Sequence, residues 1–97
     1  MDQLSPSYGA IRSTKELGSL ARAHRKQKEL TLETLSGIGN LSTRFLSEFE
    51  RGKETAEIGK VLQALHTLGL EVIIQPRQGV VQKFDQNHTP MNGADDA

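Results

Sequence analysis

The chain has 97 residues, with 12 basic and 12 acidic side chains and a formal net charge of zero. At 35 % hydrophobic and without cysteine, it allows one small core and excludes disulfide scaffolds and thiolate metal sites. No apolar run is long enough to span a bilayer, and the polar stretch Met1–Gly9 does not read as a secretory leader, so a cytoplasmic protein is expected.

The distribution of charge says more than its sum. Arg12, Lys15, Arg22, Arg25, Lys26 and Lys28 gather in one short segment, opposed inside it only by Glu16, while Asp85, Asp95 and Asp96 fall near the other end. A local positive field suits a polyanionic partner, although a solvated helix face gives the same pattern.

Residues 1–12, with Ser5, Pro6, Ser7 and Gly9, read as a flexible arm. Ser13-Thr14-Lys15-Glu16 matches a capping box, in which Ser13 accepts from the amide of Glu16 and Glu16 reaches back to the amide of Ser13. The spacing predicts a helix from there to about Lys28, with Leu17, Leu20, Ala21 and His24 on one face. Gly18 inside it costs roughly 1 kcal/mol against alanine, and a close approach by a neighbouring helix would explain it. A second helix opens at the N-cap Thr31, with Leu30 and Leu35 as a hydrophobic staple, and ends near Gly37, Gly39 and Asn40; asparagine tolerates the left-handed conformation a tight turn needs. A third starts at the N-cap Ser42, with Leu41 and Leu46 as its staple, and runs to about Arg51, where Gly52 stops it.

A fourth helix is predicted from about Ala56 to Leu68, with Ile58, Val61, Leu62, Leu65 and Leu68 as its apolar stripe and Gly69 at its end. The run Glu71-Val72-Ile73-Ile74-Gln75 then reads as a short strand, halted by Pro76. The organisation expected is an arm (1–12), a folded domain (13–76) and a largely disordered tail (77–97), interrupted by an apolar island at Val80, Val81 and Phe84 that would dock on a protein partner.

Two short helices with a tight turn between them describe a helix-turn-helix. Ser36 is the small residue where the second helix crosses the first, Asn40 serves the turn, and Leu46 and Phe49 form the inner face of the second helix. Ser42, Thr43 and Arg44 keep its leading turn polar, as contact with base edges requires. The sequence Leu30-Thr31-Leu32-Glu33-Thr34-Leu35-Ser36, with Asn40-Leu41-Ser42, Leu46-Ser47 and Glu50-Arg51-Gly52-Lys53, resembles the phage-repressor (Cro/C1, XRE) helix-turn-helix family over about residues 13–68. A fourth helix running into one short strand further resembles HipB-type antitoxins. The resemblance implies an all-α, lambda-repressor-like bundle whose C-terminal strand pairs across a dimer. It also implies repression of the protein's own operon and a HipA-type kinase toxin as partner. Leu32 departs from the family, which usually has a glutamine there that helps hold the DNA backbone. Asn40 stands for the usual turn glycine, and Ala56 for a proline.

On this reading Arg44 grips guanine O6 and N7, and Thr43 meets a thymine methyl or a phosphate. Ser42 caps the helix and touches a phosphate, and Ser47 lies within reach of DNA. Glu48, four residues beyond Arg44, either accepts from cytosine N4 or orients Arg44 by an ion pair. Arg22, Arg25, Lys26, Lys28 and Lys53 are candidates for phosphate contacts, which supply affinity and register. The resemblance gives Glu50 a structural duty, tied to the first helix through Arg22 or Arg25. Val72, Ile73 and Ile74 form the expected dimer strand, and paired recognition helices would sit about 34–36 Å apart on a palindromic operator. His24 reads as a packed core histidine, and no metal, cofactor or catalytic constellation is expected. Two other functions fit the same residues: a free-standing regulator without a toxin, and a protein-interaction module that has lost DNA binding.

Overall fold

The computed structural model describes residues 6–77 and contains four helices among them: α1 (Thr14–Gln27), α2 (Leu32–Gly39), α3 (Thr43–Glu50) and α4 (Ile58–Thr67). Three of the four are capped as the sequence predicts. Ser13 Oγ accepts from Glu16 N at 3.0 Å, Thr31 Oγ1 from Thr34 N at 3.0 Å and Ser42 Oγ from Phe45 N at 3.0 Å. The second half of the capping box differs. Glu16 Oε1 accepts the amide of Arg12 at 2.6 Å, so the carboxylate fastens the chain one residue earlier than expected. At α4 the N-cap position belongs to Glu57, which makes no side-chain cap bond, and the helix starts at Ile58, the first residue of the apolar stripe, rather than near Ala56.

The helix ends share one device. After α1, α3 and α4 the chain turns through a left-handed residue, and two amides double back onto the last carbonyls. Gly52 (φ 91°) and Gly69 (φ 82°) do this with bonds such as Lys53 N to Glu48 O at 3.1 Å and Leu70 N to Leu65 O at 2.9 Å. After α1 the same geometry falls on Glu29 (φ 59°), with Leu30 N bonded to Arg25 O at 3.1 Å. A side chain in that conformation costs about 1–2 kcal/mol. Glu29→Gly should therefore raise stability by about 1 kcal/mol, visible as a higher urea midpoint with an unchanged slope.

Packing gathers Ala21, Leu35, Leu41, Leu46, Phe49, Val61, Ala64, Leu65 and Leu68 into one core, with Leu17, Leu30, Leu32, Phe45, Ala56 and Leu70 at its margin. Leu32 thus has a packing role where the family pattern carries a polar residue. Helix α3 lies against α1 and α2, and α4 packs against α2. At Gly18 the α1 backbone comes so close to the end of α3 that a Cβ would fall 2.7 Å from the Glu50 carbonyl oxygen, and closer still to that of Phe49. The α4 stripe is divided. Val61, Leu65 and Leu68 are buried, whereas Ile58 and Leu62 face outward, 68 % and 47 % exposed.

His24 is a core residue with both ring nitrogens engaged. Nε2 lies 2.8 Å from the carbonyl oxygen of Leu68, at the end of α4, and Nδ1 lies 2.7 Å from the Tyr8 hydroxyl. Since a carbonyl only accepts, Nε2 carries a proton and donates to Leu68. Residues 6–12 have no helix or strand, yet Tyr8 lays the arm on α1 through its bond to Nδ1.

Candidate nucleic-acid interface

The turn between α2 and α3 sets the geometry of the site. Asn40 takes up φ 56° and ψ 44°, the left-handed conformation its side chain tolerates. The Ser36 hydroxyl donates to the Leu41 carbonyl, the Leu41 amide to the Ser36 carbonyl at 3.2 Å, and the Gln63 amide group to the Gly39 carbonyl. Small size at Ser36 lets the helices cross, and its hydroxyl satisfies a carbonyl that the tight turn leaves without a backbone partner.

Helix α3 is two-sided. Leu46 and Phe49 are buried, and Phe45 stacks on Phe49 with ring centroids 6.3 Å apart. The other face presents Ser42, Thr43 and Arg44, all exposed, followed by the half-buried Ser47 and Glu48. The Arg44 side chain is 87 % exposed, and its Nε lies 3.3 Å from Glu48 Oε2. Glu48 has a second partner that the sequence did not suggest, because Lys53 Nζ donates to its Oε1 at 3.0 Å. The hydrogen bonds from Lys53 and Arg44, in that order of effect, hold the Glu48 carboxyl below the usual carboxylate range. Arg51 also belongs to this face, donating to Ser47 Oγ at 2.9 Å. The sequence reading passed over it because it caps the helix, although its four-residue spacing from Ser47 was the available signal.

Arg25 does not belong among the phosphate contacts. It is buried, and each of its three guanidinium nitrogens has a partner: Nε to Glu50 Oε2 at 2.7 Å, Nη2 to Glu50 Oε1 at 2.9 Å, and Nη1 to the Leu30 carbonyl at 2.7 Å. The Glu50 hydrogen bond outweighs the desolvation of the guanidinium and raises the pKa of Arg25 above its ordinary value. Of the two arginines that the resemblance left open as the tie to Glu50, the structure selects Arg25. Arg22, Lys26, Lys28 and Lys53 remain exposed.

Residues 71–77 form neither helix nor strand in the single chain, where no neighbouring edge meets their backbone. Val72, Ile73 and Ile74 are 52 %, 70 % and 92 % exposed. Leu62, Leu70 and Val72 line one groove with His66, Gly69 and Glu71, between the outward face of α4 and the segment after it. Val80, Val81 and Phe84 lie outside the described residues. No described helix is long and apolar enough to cross a membrane, and the described residues hold no cluster of potential metal ligands.

A helix pair locked by a left-handed turn, with the second helix anchored from behind and polar in front, defines the helix-turn-helix class. The chain belongs to the HTH-type transcriptional regulators. It is 42 % identical over 64 residues to the uncharacterized HTH-type transcriptional regulator y4mF of Sinorhizobium fredii (strain NBRC 101917 / NGR234), a match spanning 66 % of this chain and 84 % of that protein. No family model matches the chain. The fold is also that of HipB in solved structures. A HipB-O4 20mer complex superposes with a TM-score of 0.69 at 18 % identity, over 73 % of this chain and all of that one. A HipA-HipB-O2-O3 complex gives the same values.

Proposed function

We propose that this regulator is a sequence-specific repressor that reads a palindromic operator as a homodimer, and that it is the antitoxin of a HipA-type kinase pair controlling its own operon from the cytoplasm. The observation that carries the DNA reading is the exposed leading turn Ser42-Thr43-Arg44, backed by the buried Leu46 and Phe49. Charge supports it as well. Residues 6–77 contain eleven basic and eight acidic side chains, so the described domain is positive by three although the whole chain is neutral.

Dimerisation is supported by the apolar surface of Ile58, Leu62, Val72, Ile73 and Ile74, which a second copy would cover while pairing the 71–75 backbone. The toxin partner is supported by the likeness to HipB, one solved form of which is in a complex with HipA. Val80, Val81 and Phe84 are the proposed contact for that kinase.

Selection of duplexes from a random pool, followed by binding assays, tests the DNA reading. Arg44→Ala should weaken binding to the selected duplex by about 1–3 kcal/mol and relax the preference at one base pair. An equal loss on scrambled DNA would reduce Arg44 to a phosphate contact. Co-purification with a kinase encoded beside this gene tests the antitoxin role, and a locus without such a kinase would leave the free-standing regulator.

A further inference from the structure

The outward side of α3 carries one acidic group, Glu48, and it is held by two cations at once. Arg44 Nε lies 3.3 Å from one carboxylate oxygen and Lys53 Nζ 3.0 Å from the other. The second acid of this helix, Glu50, is buried against Arg25 and faces inward. Glu48 therefore meets both Arg44, the proposed base reader, and Lys53, a proposed phosphate contact.

We propose that Glu48 sets specificity by penalising wrong sequences: it restrains Arg44 and Lys53 in the free protein and is relieved only opposite a base with an exocyclic amino donor. This rests on the DNA reading above. On any duplex the DNA draws the two cations away, Arg44 toward the base edges and Lys53 toward a phosphate, which is easy because exposed ion pairs are individually weak. The carboxylate then faces the polyanion without a partner. Where the groove offers cytosine N4, the carboxylate accepts a hydrogen bond and the penalty disappears. Where it offers only acceptors or a methyl group, the penalty remains, and the complex is disfavoured by repulsion. The restraint is in force at neutral pH, where a glutamate carboxyl is ionised, and the two cations lower its pKa further.

The test compares full-length wild type with Glu48→Gln on two duplexes of about two helical turns, one selected by the wild type from a random pool and one scrambled, over a series of salt concentrations. The amide keeps the shape and removes the charge. Glu48→Gln should bind the scrambled duplex about tenfold more tightly, with a smaller change on the selected duplex, so that discrimination falls. Losing the negative charge that faces the phosphates should steepen the salt slope on scrambled DNA by about one. The double variant Glu48→Gln/Lys53→Gln should give back one such increment, a readout that a merely structural role would not move. Equal tightening on both duplexes, or no tightening, overturns the penalty while leaving the DNA reading intact. A wild type that enriches no sequence from the pool overturns both.

Discussion

Glu50→Ala is expected to cost about 3–5 kcal/mol, because it leaves the Arg25 guanidinium buried without its counter-charge. For a domain of this size that is a large share of the total, which runs to about 0.05–0.15 kcal/mol per residue. The variant should be largely unfolded at 37 °C, and urea titration at low temperature would measure the loss. The double variant Arg25→Met/Glu50→Leu removes both charges and fills the space with apolar atoms. It should recover most of the stability, less what Arg25 contributes by satisfying the Leu30 carbonyl. A loss near 1 kcal/mol for the single variant would contradict a desolvated pair. Because Arg25 is in α1 and Glu50 ends α3, the pair also fixes where the recognition helix stands on the domain.

Gly18→Ala should reverse the usual sign of a glycine-to-alanine change within a helix. In an open site the added methyl stabilises by up to about 1 kcal/mol. At Gly18 it meets the carbonyls of Phe49 and Glu50, backbone atoms that cannot swing aside, and α1 must move off α3. The expected loss is about 3 kcal/mol. Gly59→Ala in α4, where nothing lies within 4 Å of the new Cβ, is the matched control and should gain stability. Equal effects at the two positions in thermal melts would show that α1 and α3 are not in backbone contact.

How far the sequence anticipated this molecule follows from the range of the interactions involved. Caps such as Ser13, Thr31 and Ser42 act within three residues, so they could be read directly, and so could Asn40 and Gly52 at the turns. The inner face of α3 was equally legible, because Leu46 and Phe49 stand out in a polar stretch. Gly18 signalled a close approach without naming the neighbour. Long-range choices were harder. Nothing local distinguishes Arg25 from Arg22 as the partner of Glu50, and the decision came only when α1 was placed against α3. The Tyr8–His24 bond spans 16 residues from a segment that composition marked as loose. Helical periodicity counted Ile58 and Leu62 with the core, since it cannot say which of two apolar faces has a covering element. Glu48 was half visible: its spacing from Arg44 announced one ion pair, while the Lys53 contact depends on the reversal of the chain at Gly52.

The fastening of Ser36, Leu41, Gly39 and Gln63 around the α2–α3 corner has a mechanical consequence. A corner so tied moves as a rigid body, and its α3 cannot swivel to suit a duplex with altered groove width. In the proposed dimer, any give needed to accommodate operators of unequal pitch must then reside in the joint between the two copies, or in the DNA itself.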